Sequence, residues 1–269
     1  MTISTPHWQS LGHLLREQAE RNGNRPLFRF DGTDTTFAEI EERTNRLANV
    51  LSAHGVGKGD HVAVLMSNGI GFPTVWMAIA KVGAVMVPIN VQYQETDLAY
   101  TLNDSGAVLA IADAQQIEKL QHVRTRCASL QEICLLSTDG APIDSDLRVE
   151  LEQAPSTYAI DHVCQKDLLN LQYTSGTTGF PKGCMLTHEY LLMLGQEVAE
   201  YGKFRDGDVA LTAQPFYYLD PQWNTVMCMM AGVPLVILER FSASTFWQSV
   251  KDNEVTFFYL LGTMPIYLL

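Results

Sequence analysis

The stretch YTSGTTGFPKG, residues 173–183, is richer in glycine and hydroxyl side chains than any other part of the chain. It follows the apolar run LLNLQ and precedes a segment with helical character. This order predicts a loop at the carboxyl end of a β-strand, the usual ligand-binding edge of an α/β sheet. Glycines let the backbone approach a ligand closely, and consecutive N–H groups can form an anion-binding nest. Together with the charge of Lys182, these features predict a phosphate-binding loop rather than a flexible surface turn.

Two other glycine-rich patterns are not matched by the sequence. The P-loop consensus G-x-x-x-x-G-K-[ST] is absent, because Lys182 is preceded by proline and followed by glycine. The stretch GVGKG at 55–59 partly resembles a dinucleotide-binding fingerprint, but it follows a predicted helix and precedes a predicted strand. That order is the reverse of what the fingerprint requires, so a helix-ending turn is the better interpretation.

Strand and helix patterns alternate on both sides of the loop. Thr36 and Glu39 form a capping-box pattern at the start of an amphipathic helix that reaches about residue 51. Apolar strands are expected at 61–67, 84–90, 107–113, 132–137, 168–175, 209–214, 233–239 and 255–262. Helices are expected at 72–83, 95–106, 114–127, 188–202, 221–231 and 242–253.

This alternation predicts an α/β fold, with two stacked lobes whose largely parallel sheets are covered by helices. We expect the first lobe at 1–165 and the start of the second, which carries the phosphate loop, at 166–269. The polar stretch 138–167 shows no clear period and is expected to connect the lobes.

Composition limits the classes of partner. The formal net charge of −12 argues against a broad nucleic-acid or anionic-membrane surface, although it leaves room for a small phosphate ligand. The five cysteines form no C-x-x-C pair, and the histidines have no partner at metal-ligand spacing, which predicts a reduced protein without a structural zinc. Neither a secretory signal nor a membrane-spanning run is visible, so we expect a cytoplasmic protein without an integral membrane segment.

The segment 174–183, a TSGTTG core that leads into PKG, resembles the signature phosphate loop of the adenylate-forming (AMP-binding) enzymes. That superfamily includes acyl-CoA synthetases, luciferases and peptide-synthetase adenylation domains. The stretches 36–68, 78–93 and 186–192 resemble other family segments, in the family's order. The resemblance covers essentially the whole chain, but such enzymes are about twice as long, so the chain is similar to their N-terminal half.

The resemblance implies a two-step reaction with ATP, Mg²⁺ and coenzyme A as cofactors. A small-molecule carboxylic acid attacks the α-phosphorus of ATP, and the acyl-adenylate then passes its acyl group to coenzyme A. Lys182 and Thr178 would be the catalytic residues, because the loop would position the β- and γ-phosphates and neutralise their charge as pyrophosphate leaves. Thr177 or Thr178 would lie next to the metal. The ATP-binding residues carried over are Thr174, Ser175, Gly176, Thr177, Thr178, Gly179 and Lys182.

The aromatic and acidic stretch QPFYYLDPQW, residues 214–223, is a candidate substrate site. According to the resemblance, Tyr218 occupies a position where the family has a histidine. Tyrosine keeps a flat ring for gating but lacks the titratable nitrogen. Leu219 replaces the aspartate that amino-acid-activating relatives use, which favours an acyl-CoA ligase. The expected substrate residues are Tyr218, Asp220, Trp223, Gly262 and Thr263.

Aromatic faces beside a carboxylate can also hold a cationic group. The cluster of Tyr217, Tyr218, Asp220 and Trp223 therefore raises the hypothesis of a quaternary-ammonium acid, as in a carnitine/crotonobetaine–CoA ligase. The alternative is that these aromatic side chains are ordinary pocket walls.

Nothing in the sequence resembles the family's later elements, which are a metal-binding glutamate, a ribose-binding aspartate and a mobile C-terminal domain with a catalytic lysine. We therefore expect the chain alone to bind ATP weakly without turning over. A non-catalytic ATP- or acyl-binding fragment and an adenylation domain that serves a carrier-protein thiol are the alternatives. A homodimer is left open.

Overall fold

A computed structural model describes residues 6–174 and 181–269, in which helices flank two mainly parallel β-sheets. The helices are α1 (Leu11–Asn22), α2 (Phe37–Ala53), α3 (Gly71–Val82), α4 (Glu95–Ser105), α5 (Ile117–Arg124), α6 (Ser145–Gln153), α7 (His188–Gly202), α8 (Leu219–Ala231), α9 (Ala243–Asp252) and α10 (Met264–Leu268). The strands are β1 (Pro26–Phe30), β2 (Thr33–Thr36), β3 (His61–Leu65), β4 (Val85–Pro88), β5 (Leu109–Ala112), β6 (Glu132–Leu135), β7 (Leu168–Thr174), β8 (Lys182–Thr187), β9 (Ala210–Thr212), β10 (Leu235–Ile237) and β11 (Phe257–Phe258).

The two sheets confirm the predicted α/β fold with largely parallel strands. The six-stranded sheet has the order β6-β5-β3-β4-β7-β8, and only β8 runs antiparallel to its neighbour. The five-stranded sheet has the order β11-β9-β10-β1-β2, with β2 antiparallel to β1. Each sheet takes strands from both sides of residue 165, because β7 and β8 join the first sheet while β1 and β2 join the second. Sheet membership thus crosses that position, and the division of the chain into two lobes there stays a prediction.

The predicted capping box is present, since Thr36 accepts from the Glu39 N–H and the Glu39 carboxylate accepts from the Thr36 N–H. Four features differ from the sequence-based expectations. Helix α1 and the β1–β2 hairpin were not predicted. The stretch 138–167 is not wholly irregular, because it contains α6, in which Leu147 alone is buried. Strand β8 was also not predicted, since most of its side chains are exposed and it carries no apolar pattern.

Helix α3 lies at the centre of the molecule, and every one of its residues is buried. Its Phe72, Trp76 and Met77 belong to one apolar cluster with Met86 of the six-stranded sheet and Leu235 of the five-stranded sheet. Full burial of such a side chain contributes about 1.5–3 kcal/mol relative to exposure. The two sheets therefore share one core. No helix within the described ranges is both long and apolar enough to cross a bilayer.

Helix α3 also carries a buried charge. The side chain of Lys81 is fully buried, and its Nζ donates to Glu41 Oε2 at 2.7 Å and to Asn45 Oδ1 at 2.5 Å, both on α2. Burial lowers the pKa of Lys81 from 10.5 to about 8, although the Glu41 carboxylate opposes the shift. The contact between α2 and α3 thus depends on a lysine that is costly to keep protonated.

We expect the substitution Lys81→Met to change how stability varies with pH. Between pH 8 and 10.5 the unfolded chain binds more protons at Lys81 than the folded chain, so wild-type stability should rise through this window. Across this window, the free energy of unfolding of wild type should increase relative to that of the variant by on the order of 3 kcal/mol. Urea unfolding at about pH 7.5 and about pH 10 measures this difference. Lys251→Met, at an exposed position on α9, is the control, and a difference independent of pH would contradict the assignment.

Candidate active site

The ends of the predicted phosphate loop are fixed by strand pairing. Thr174, the last residue of β7, pairs with Lys182, the first residue of β8, and both side chains are exposed. Because β7 runs parallel to β4, Thr174 lies at the carboxyl edge of the six-stranded sheet, as the sequence predicted. The predicted binding residues between these ends lie outside the described residues, and their roles stay predictions: Ser175, Gly176, Thr177, Thr178 and Gly179.

Hydrogen bonds between buried side chains hold strand β7 in place. The indole N–H of Trp76 donates to Asn170 Oδ1 at 2.9 Å, and the amide N–H of Asn170 donates to Gln222 Oε1 at 2.7 Å. The Gln222 amide in turn donates to the backbone carbonyl of Phe216 at 2.9 Å. One chain of hydrogen bonds thus joins α3, β7, the 214–218 segment and α8.

Gln172, two residues further along β7, makes a second connection. Its amide donates to the backbone carbonyl of Tyr217 at 2.5 Å, and its own carbonyl accepts from Gln222 at 3.4 Å. All of these side chains are buried, so an amide that lost its partner would cost about 1–3 kcal/mol. The position of the 214–218 segment relative to the loop strand is therefore strongly specified.

The buried side chain of Asn68, which follows β3, holds the same segment from the other side. Its amide donates to the carbonyls of Gln214 and Leu238 at 2.9 Å each, and its Oδ1 accepts from the Phe216 N–H at 2.9 Å. These bonds join the ends of strands from both sheets. The aromatic segment is thus held between the two sheets.

A cleft of about 550 Å³ opens at this edge of the sheet. Three of the predicted site residues line it, namely Thr174, Tyr218 and Asp220. Cys184 and Leu186 of β8 also line the cleft, and residues two apart on a strand share a face, so Lys182 extends the same face. A larger cavity, of about 860 Å³, lies elsewhere between β1, α2 and residues 136–142 and contains none of the predicted site residues.

The described walls of the cleft are mainly aromatic. Five tyrosines line it: Tyr93, Tyr173, Tyr190, Tyr217 and Tyr218. Burial raises the pKa of Tyr217 to about 12, and burial together with a hydrogen bond to Asp104 raises the pKa of Tyr173. The phenols of Tyr217 and Tyr173 are therefore neutral near physiological pH. Of the five, the sequence pointed to Tyr217 and Tyr218 as part of a cation-binding cluster and to Tyr218 as a substrate residue. Tyr93 and Tyr190 were not assigned a site role, because they come from distant segments.

Asp220 contributes a carboxyl group from the first turn of α8. Burial raises its pKa, while hydrogen bonds from its own backbone and from the Trp223 side chain oppose the rise. Trp223 itself is buried and packs edge-on against Tyr259, with ring centroids 5.3 Å apart. Trp223 thus supports Asp220 from behind and does not form part of the cleft wall.

Gly262 and Thr263 lie between β11 and α10, where both are exposed and Gly262 has a φ of +60°. Neither residue lines the 550 Å³ cleft. The structure therefore brings Thr174, Lys182, Tyr218 and Asp220 to one place, while the substrate role predicted for Gly262 and Thr263 stays a prediction.

Solved structures of similar fold include an N-terminal domain and a CoA ligase. The N-terminal domain of FACL13 from Mycobacterium tuberculosis superposes with a TM-score of 0.84 at 26% identity, over 97% of this chain and 65% of that one. A long-chain-fatty-acid–CoA ligase from Archaeoglobus fulgidus superposes with a TM-score of 0.88 over 100% of this chain and 54% of its own. At 24% identity, the second comparison supports the fold alone.

The sequence comparison leads in the same direction. A crotonobetaine/carnitine–CoA ligase from Salmonella paratyphi A is 31% identical over 260 residues, which are 92% of this chain and 50% of the relative. The chain thus spans about half the length of this relative. The pattern of the family described as "AMP-binding enzyme" matches residues 15–269, so the chain belongs to the AMP-binding enzyme family.

Proposed function

We propose that the chain forms the ATP- and acid-binding part of an acyl-CoA ligase. The enzyme would convert a carboxylic acid and ATP into an acyl-adenylate and pyrophosphate, and then transfer the acyl group to coenzyme A. The observation that carries the proposal is the pairing of Thr174 with Lys182 beside the cleft that contains Tyr218 and Asp220. A cytoplasmic location belongs to the same proposal, and a homodimer is left open.

In this proposal the loop residues bind the phosphates of ATP. Lys182 contributes a positive charge, and the hydroxyl of Thr174 and the N–H groups of 175–179 contribute hydrogen bonds. Their role is to hold the α-phosphorus in line with the acid and to neutralise charge as pyrophosphate leaves. Thr177 and Thr178 offer hydroxyl oxygens, the type of ligand that Mg²⁺ prefers, and bound Mg²⁺ would supply further neutralisation of the phosphates.

The charges around the cleft orient the acid. A substrate carboxylate is attracted to Lys182 and repelled by Asp220, so the rest of the acid extends towards Asp220 along the tyrosine walls. Neutral aromatic walls also exclude water, which protects an adenylate from hydrolysis.

The same arrangement supports a quaternary-ammonium acid as the substrate. A trimethylammonium group near Asp220 would meet aromatic faces together with an opposite charge, the usual features of sites for such cations. The relative from Salmonella paratyphi A is named for crotonobetaine and carnitine. We therefore propose an acid of this class as the first to test.

We expect Lys182→Ala to slow adenylate formation at least about tenfold in the full-length product of the gene, which corresponds to about 1.4 kcal/mol of lost transition-state stabilisation. Carboxylate-dependent exchange of pyrophosphate into ATP measures this step. Lys182→Arg keeps the charge and should retain more activity, and Lys251→Ala is the control for removal of an exposed lysine. An unchanged exchange rate in Lys182→Ala would remove this lysine from the mechanism.

The substrate class is tested with crotonobetaine, carnitine and butyrate. We expect the cationic acids to have the higher kcat/KM, and Asp220→Asn to reduce that value at least about tenfold for them while changing butyrate little. Asp252→Asn, at an exposed position on α9, is the control. Butyrate used as well as crotonobetaine would exclude the quaternary-ammonium proposal but leave the ligase proposal intact.

A further inference from the structure

A second cluster of reactive side chains lies at the opposite edge of the six-stranded sheet from β8. His54 follows the last residue of α2, Glu132 and Cys134 belong to the edge strand β6, and Glu150 belongs to α6. His54 is 78 positions from Glu132 and 96 positions from Glu150 in the chain. The fold therefore assembles a group that no short sequence spacing could have indicated.

The geometry places three different candidate metal-ligand atoms around one point. Glu132 and Cys134 are two residues apart on β6 and share a face of the strand. His54 Nδ1 lies 2.8 Å from Glu132 Oε1. The candidate metal-ligand atoms of His54, Glu132 and Cys134 all lie within 4.8 Å of one another. Metal–ligand bonds of about 2.0–2.3 Å would bring such atoms to roughly 3.5 Å apart, so a small closure of the side chains suffices.

Glu150 fixes the orientation of the imidazole. His54 Nε2 lies 2.6 Å from Glu150 Oε2, while Nδ1 faces Glu132. A histidine that binds a metal through one nitrogen commonly donates the other N–H to a carboxylate, which holds the ring and strengthens the ligand. Glu150 provides that carboxylate here.

The local charge is negative around the thiol. Burial, followed by the carboxylates of Glu132, Glu150 and Asp144, raises the pKa of Cys134 to about 12. The thiol is therefore protonated near neutral pH, while the surrounding carboxylates attract a cation. A bound divalent cation would displace the thiol proton to solvent and hold the thiolate.

We propose that His54, Glu132 and Cys134 bind a divalent cation of the zinc class. The ligands are His54 Nδ1, a Glu132 carboxylate oxygen and Cys134 Sγ, with water in the fourth position and Glu150 orienting the histidine. A mixed nitrogen, oxygen and sulfur set suits Zn²⁺, whereas Mg²⁺ and Ca²⁺ favour oxygen ligands. The cation would tie the end of α2 to β6, and through Glu150 to α6. Sequence spacing alone predicted no structural zinc.

The competing arrangement is a metal-free ion pair. In that case His54 is protonated and bridges Glu132 and Glu150, and the hydrogen bond to Glu132 contributes most to its raised pKa. The two arrangements differ at Cys134, because only a metal converts the half-buried thiol into a ligand.

The test uses Co²⁺ as a spectroscopic probe for the zinc site. The protein, freed of metal by chelation, is titrated with Co²⁺, and we expect one equivalent to bind with a thiolate-to-cobalt charge-transfer band that Zn²⁺ displaces. Cys134→Ser should abolish the band, and His54→Gln and Glu150→Gln should weaken Co²⁺ binding at least about tenfold. Cys164→Ser, at an exposed cysteine, should keep the band.

A matched control for the histidine is His122→Gln. His122 also faces a glutamate, with its Nδ1 3.2 Å from Glu95 Oε1, but belongs to no such His–Glu–Cys group in the described part of the chain. It should bind Co²⁺ like wild type. A titration of folded wild type without a thiolate band, or a band retained in Cys134→Ser, would overturn the proposal and leave the ion pair. The presence or absence of the thiolate band is measured on wild type itself, so the proposal is tested even if a variant fails to fold.

Discussion

The hydrogen bond between the indole of Trp76 and the side chain of Asn170 determines where the candidate active site lies. It connects the central helix to the strand that leads into the phosphate loop, and Asn170 passes the connection to Gln222 and so to the aromatic segment. Each buried amide in this series has its partners, so displacement of one would leave others unsatisfied. The site is thereby held in place by the core.

This constraint explains how the cleft can be polar at one end and aromatic along its walls. The amides satisfy the backbone carbonyls of the 214–218 segment from inside the protein, which leaves the side chains of Tyr218 and Asp220 free to face the cleft. Burial raises the pKa of the Tyr173 and Tyr217 phenols, so both stay neutral, whereas Asp220 contributes a carboxyl group to the cleft lining. In the proposed acid site, Lys182 attracts the substrate carboxylate, and Asp220 faces the rest of the acid.

The sequence predicted the elements whose signal is local. The capping box of Thr36 and Glu39 and the apolar parallel strands follow from patterns within a few residues, and both are present. Strand β8 and helix α6 were missed because solvent covers most of their side chains. The sequence pointed to Tyr217 and Tyr218, but the other wall tyrosines and the His54 cluster could not be predicted, since they come from segments that meet only in the folded chain. The role of the loop was predicted from residue type, because glycines, hydroxyls and lysine carry their chemistry with them.

The pairing of Thr174 with Lys182 has a consequence for how the sequence can vary. Along β8, odd and even positions face opposite sides, so the lysine shares its side with Cys184 and Leu186 only because the interval between them is even. A single residue inserted between Lys182 and Cys184 would preserve the composition of the motif and yet turn the lysine away from the cleft. In this strand, the number of residues between Lys182 and Cys184 therefore matters as much as the identity of the residues.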